Sequence, residues 1–480
     1  MRPQTRQLRV DAFPHAAGTF IDVHSNIMEN ILGLMSKDDW IYTGLLLFSF
    51  GASCYVRKIG NNILASGALG FAMSLFIIGP KIVYSLGICS IAISIQLLAN
   101  KKSTPLYVFL TTFTYLMFVR FAHYILPVNE VASHTNVIQL IITLRIIGIT
   151  FEENDAWVHK SDENPTKRYL TELPTILEKF AYFYHFCGLF TGPYYTYQML
   201  IDSQNPILKS WDPTLEVKSR FVRLLWSVPV FVITNHYFPL DILRSDAIWE
   251  VSFFTRLVYA ALIFVVFKTR VYSAWAIAES ICVILGIGIY PAASNPKIIM
   301  GPTDLNAFDK LKTRENIEMS SDAIVNLDIP KVEFSDGFRD GMKAWNRSVQ
   351  TWLALYVHSR VKVMRVETTM LVSAVWHGTY AGYFMSFGVV AMCAILEDVI
   401  FKLVPVDTET GVRPKWFRIL YTHTIRCRGF EMLATGFLLK NAYDVHHFWS
   451  SIYYWLPLLC IPFYIYSAKI SKPKKAQKSE

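Results

Sequence analysis

The stretch TMLVSAVWHGTYAGYFMSFGVVAMCAILEDVI, residues 369–400, meets its first Asp, Glu, Lys or Arg only at Glu397, yet carries His377 near its start. A run this apolar is long enough to cross a hydrocarbon layer of ~30 Å. An ionisable imidazole placed inside it costs free energy, and such a cost usually reflects function.

Similar runs recur at 41–56, 63–78, 82–99, 106–126, 137–149, 221–237, 251–267, 271–290, 429–439 and 449–466. With 53% hydrophobic and only 17% charged residues over 480 positions, the chain is too apolar for ordinary soluble domains. The expected class is all-α, a polytopic transmembrane bundle of about ten helices, some short or re-entrant, around an internal tunnel. Gly79-Pro80-Lys81 reads as an interhelical turn. Thr191-Gly192-Pro193-Tyr194 interrupts an apolar stretch and predicts a re-entrant or kinked element, which survives at membrane depth only when buried in protein or lining a wet cavity.

Three regions fall outside this pattern. Residues 1–39 form a polar extension with Arg2, Arg6 and Arg9 but no compact apolar run before a cleavage site, so the first run is expected to act as an uncleaved anchor. Residues 40–470 form the main domain, interrupted at 291–341 by a polar excursion of mixed charge, expected as an ordered loop on the membrane face. Residues 471–480 are a basic tail; with a net charge of +9, it reads as a positive-inside anchor on the cytosolic side rather than a nucleic-acid contact. The seven cysteines are dispersed and no His-Glu-x-x-His pattern occurs, so neither a disulfide framework nor a metal site is expected.

A second polar residue, Asn346, lies 31 positions before His377 in AWNRSVQTW, residues 344–352. A helix beginning near Gly341 would place Trp345, Val349, Trp352 and Tyr356 on one stripe, with Asn346, Gln350 and Leu353 in an adjacent line. Taken alone, Asn346 reads first as an interhelical hydrogen-bond residue, and its sequon Asn346-Arg347-Ser348 as an unused one. His377 alone reads first as a satisfied core histidine. Chemistry adds a second reading, because an imidazole, with its ordinary pKa of about 6.5, is suited when neutral to take a proton from a hydroxyl. Ser373, four positions before His377, is placed to hydrogen-bond its ring, and Gly378 and Gly382 allow close approach of a helix or an acyl chain.

Arg339-Asp340-Gly341-Met342 leading into Trp345-Asn346, then Trp376-His377-Gly378 leading into Gly382-Tyr383-Phe384, resembles the membrane-bound O-acyltransferases, in their lysophospholipid branch. Thr191-Gly192-Pro193-Tyr194-Tyr195, Val349-Gln350 with Trp352-Leu353-Ala354, and Ser450 with Ile452-Tyr453 carry the likeness further, over roughly residues 40–466. The resemblance implies transfer of a fatty acyl chain, polyunsaturated by family habit, from acyl-coenzyme A as co-substrate to the sn-2 hydroxyl of a lysophospholipid, foremost lysophosphatidylinositol, in the endoplasmic reticulum membrane. No separate cofactor is implied, and the oligomeric state is left open. His377 would be the general base, and Asn346 would position the acyl group or its oxyanion. Ser373, Gln350, Trp352, Trp376, Gly378, Gly382, Lys343 and Arg347 are expected around the substrates, with Arg360 and Lys362 as further candidates for the coenzyme A phosphates. A transporter built around the same polar residues, or the same family with another acceptor, are the competing readings.

Overall fold

The computed structural model describes residues 33, 35–126, 131–160, 168–206, 208, 211–311 and 317–470, so the basic tail and most of the N-terminal extension lie outside the described residues. The first half of the chain folds as α1 (Lys37–Ile59), α2 (Ile63–Ile78), α3 (Ile82–Leu98), α4 (Thr104–Ile125), α5 (Ser133–Val158), α6 (Ile176–Phe183), α7 (Tyr197–Asp202), α8 (Thr214–Tyr237) and α9 (Phe253–Ile284). The polar excursion contributes a two-stranded antiparallel pair, β1 (Tyr290–Pro291) with β2 (Met319–Ser320), and the short helices α10 (Leu305–Leu311), α11 (Ile329–Phe334) and α12 (Phe338–Ala344). Then come α13 (Arg347–Leu353), α14 (Arg365–His377), α15 (Ala381–Leu403), α16 (Lys415–Tyr421), α17 (Cys427–Leu439), α18 (Ala442–Ser451) and α19 (Trp455–Ile470).

Local chemistry sets many of the helix starts. Ser36 accepts from the Asp39 amide at the head of α1, and Ser252 from the Thr255 amide at the head of α9. Thr175 and Glu178 form a reciprocal capping box on α6.

Among the described residues, five helical elements are long and apolar enough to cross a membrane: Ile63–Leu98, Thr104–Ile125, Ser133–Val158, Phe253–Ile284 and Ala381–Leu403. Counting α18 and the start of α19 as one span, bent by 88°, makes six. The chain is therefore multi-pass, with fewer full-length spans than the roughly ten helices counted from apolar runs. One correction accounts for part of the difference. Gly79–Lys81 is a single 3-10 turn that continues α2 into α3 rather than reversing the chain. The run at 369–400 is broken after His377 into the 13-residue α14 and the 23-residue α15.

α5 is the central post, with 83% of its membrane-length window buried. Its Arg145 is fully buried and donates to the carbonyls of Tyr182 (3.0 Å), Phe183 (3.1 Å), His185 (2.8 Å) and Cys187, and to the Tyr195 hydroxyl (3.2 Å). The first two of those carbonyls close α6 and the last two open the non-helical stretch between α6 and α7, which is almost wholly buried. One guanidinium thus satisfies backbone that lipid would leave unpaired, and this is how the chain can leave the helix around Gly192-Pro193. Close approach makes room for the same stretch: a Cβ on Gly70 of α2 would fall 1.9 Å from the Tyr184 carbonyl oxygen.

Two large groups of buried side chains result. One gathers α1 to α7, the end of α9, and α13; the other gathers the start of α9 with α15, α17, α18 and α19. The candidate site lies where they meet.

Candidate active site

The segment carrying Asn346 is not one helix. α12 ends at Ala344, Trp345 is extended, and Asn346 is left-handed at φ 46° and ψ 51° before α13 begins. Asn is among the few side chains that tolerate this region. The expected four-residue stripe is therefore split. Trp345 turns to Trp275, Phe267 and Tyr272, whereas Val349, Trp352 and Tyr356 enter the core around α5.

A clamp from the polar excursion holds the turn. The Asn326 carbonyl accepts from the Arg347 amide (2.9 Å), its side-chain oxygen accepts from the Ser348 amide (3.0 Å), and the Ala344 carbonyl accepts from the Asp328 amide (3.0 Å). Asn326 donates its own amide to Glu279 (2.8 Å), a fully buried carboxylate paired with Arg220 (3.3 Å) and Arg223 (3.1 Å). Residues 323–328 of the excursion are thus largely buried and support the site. With its backbone fixed this way, Asn346 does not spend its amide capping α13, and it lines a cavity.

His377 is the last residue of α14 and lines the same cavity of about 390 Å³. Aromatic rings box the imidazole: Trp376 at 4.6 Å, Phe437 edge-on at 4.9 Å and Phe387 nearly parallel at 5.4 Å. α9, α12 to α15 and α17 all contribute walls, mostly Phe, Val, Leu, Met and Ala. The polar groups set into those walls are Asn346, Gln350, Ser373, His377, Thr369, Arg339, Lys343 and His358.

Two indoles bring the motifs into register. Trp352 donates its N–H to the Leu144 carbonyl (3.2 Å) and Trp376 donates its own to the Leu140 carbonyl (3.3 Å). These carbonyls lie one turn apart on α5, so a single helix positions both segments. A helical carbonyl has a second lone pair available for such a contact.

The remaining expected site residues divide clearly. Ser373, Gln350 and Lys343 line the cavity, although Gln350 also donates to the Met342 carbonyl. Trp352 and Trp376 do not line it, because burial of their indoles against α5 turns them into the core. Gly378 and Gly382 serve packing rather than an acyl chain: a Cβ would meet the Tyr383 ring at 2.5 Å and the Gly436 carbonyl at 2.2 Å, respectively. Arg347 turns to the Val325 carbonyl, and Arg360 lies over Phe151 beside Asp155, in a separate pocket. Sequence reasoning missed Arg120, Glu279, Asn326 and His358, and named Arg339 only within a motif. Arg120 carried the same signal as His377, an ionisable side chain inside an apolar run.

Chemically, the arrangement offers an imidazole and an amide on one apolar-walled space, with Lys343 and the Asp398-paired Arg339 on its wall.

The sequence model of the membrane-bound O-acyltransferase family matches residues 63–435. The chain is 88% identical over 447 residues to the membrane-bound acylglycerophosphatidylinositol O-acyltransferase mboa-7 of Caenorhabditis briggsae, covering 93% of this chain and 99% of that protein. It is 30% identical over 445 residues to the mouse protein of the same description, MBOAT7, covering 89% and 93%. The Drosophila melanogaster protein so described, frj, is 30% identical over 466 residues, covering 91% and 94%.

Proposed function

We propose that this chain, which belongs to the membrane-bound O-acyltransferase family, transfers a fatty acyl group from acyl-coenzyme A to the sn-2 hydroxyl of lysophosphatidylinositol in the endoplasmic reticulum membrane. The observation that carries the reading is that Asn346 and His377 line one apolar cavity. The names of the three relatives support the acceptor.

In this reading His377 accepts the proton as the lysolipid hydroxyl oxygen attacks the thioester carbonyl. The Asn346 amide donates to the oxyanion that forms, a contact worth most where water is excluded. Collapse of the tetrahedral species expels the coenzyme A thiolate, which takes the proton back from the imidazolium. The products are the diacyl lipid and free coenzyme A. Apolar walls keep water from competing with the lipid hydroxyl for the thioester. In this reading Lys343, on the cavity wall, meets the donor's phosphates, while Arg339 beside it is paired with Asp398.

Acceptor competition tests the substrate. Purified protein given an acyl-coenzyme A should use lysophosphatidylinositol with kcat/KM at least about 10-fold above lysophosphatidylcholine, lysophosphatidylethanolamine or lysophosphatidylserine, as a site built around one polar headgroup does. Equal use of all four, or preference for another, would overturn the acceptor assignment.

A further inference from the structure

The backbone that carries His377 is held from another helix. α14 ends with its last amide bond to Ala374, made by Gly378 at 3.1 Å, which leaves the carbonyls of Val375, Trp376 and His377 without helical donors. Arg120 of α4 supplies all three: Nη1 donates to Val375 (2.6 Å), and Nη2 to Trp376 (2.6 Å) and His377 (3.4 Å). Its Nε donates to the Asn136 side-chain oxygen of α5 (3.1 Å), which fixes the plane of the guanidinium. The side chain is 7% exposed, and all these acceptors are uncharged.

We infer that Arg120 is a positioning residue for the acyl transfer: by gripping the C-terminal carbonyls of α14 it sets the direction in which the His377 imidazole enters the cavity. The inference rests on the reading of His377 as the base. No element lies between the clamp and the base, because one of the gripped carbonyls belongs to His377 itself. Any relaxation of this helix end is passed directly to the imidazole. A misplacement of about 1 Å at a reacting group can cost roughly 10²-fold in rate. Lys in the same place would keep the charge but lose the planar fork that spans successive carbonyls.

The test compares Arg120→Gln, Arg120→Lys, Asn136→Ala and His377→Ala in detergent-purified protein. Measured for each are kcat, both KM values, and the stoichiometry of binding of a non-hydrolysable thioether analogue of acyl-coenzyme A. Arg120→Gln should lose roughly 10²-fold in kcat with KM values and binding stoichiometry near wild type. Arg120→Lys should recover part of that loss. Asn136→Ala, which frees the guanidinium plane without removing it, should show a smaller loss in the same direction. The inference is overturned if folded Arg120→Gln turns over like wild type, or if its loss of turnover merely tracks loss of analogue binding. Should Arg120→Gln fail to fold, Asn136→Ala decides, and wild-type kcat there overturns the inference. An active His377→Ala would instead defeat the reading of the base; an inactive His377→Ala beside unaffected Arg120 and Asn136 variants would defeat the positioning role alone.

Discussion

His377→Ala is expected to lower kcat for acyl transfer by roughly 10²–10⁴-fold, the range a positioned general base contributes. The substitution removes the imidazole from the cavity wall but leaves the carbonyl end of α14 in the grip of Arg120, because those bonds involve only backbone oxygens. Donor binding should therefore survive, and the loss should fall on kcat. His377→Gln sharpens the comparison, since it restores a polar group of similar reach without a basic nitrogen; it should be as inactive as the Ala variant. The measurement is steady-state release of coenzyme A with lysophosphatidylinositol as acceptor, corrected for the fraction of protein that binds the thioether analogue. If that fraction falls as far as the rate does, the effect belongs to packing of the aromatic box around the ring.

Asn346 calls for different substitutions, because its backbone is left-handed. Ala at φ 46° adds strain of about 1 kcal/mol or more, which would mix stability with catalysis. Gly occupies this region freely, and Asp tolerates it while lacking the amide N–H. Asn346→Gly and Asn346→Asp are thus both expected to keep the turn, and the Asn326 clamp acts only on neighbouring backbone. Each should reduce kcat by roughly 10²–10³-fold, the cost of losing one oxyanion donor, with Asp the worse because a carboxylate repels the developing charge. A folded Gly variant with wild-type kcat would remove Asn346 from the chemistry and leave it a turn residue.

Much of this was legible before any coordinates. Apolar runs separated by polar breaks identified the membrane class, and the cost of an imidazole in such a run singled out His377. What escaped was the way the runs end and meet. Periodicity within 369–400 gave no reason to stop a helix at His377; the stop falls at Gly378, and the carbonyls left there are taken up by a guanidinium some 255 positions away in the chain. Similarly, the stripe from Trp345 to Tyr356 suits a continuous helix; the left-handed turn at Asn346 is held by Asn326 and Asp328, and Asn326 is itself bonded to the buried Glu279. Trp352 and Trp376 are expected from the sequence among the substrate contacts. Their indole N–H groups instead find carbonyls on α5, so they act on the site by setting register. Glycines were ambiguous for the same reason, and the neighbour that fills the space at Gly382 is the backbone of α17 rather than a chain of lipid.

An experimental structure with the thioether donor analogue and lysophosphatidylinositol bound tests the convergence of the two motifs most directly. The acyl carbonyl should lie in the shared cavity, its oxygen about 3 Å from the Asn346 amide nitrogen and the sn-2 hydroxyl about 3 Å from a ring nitrogen of His377. A donor carbonyl seated elsewhere, or an Asn346 and a His377 facing compartments that no cavity joins, would contradict it.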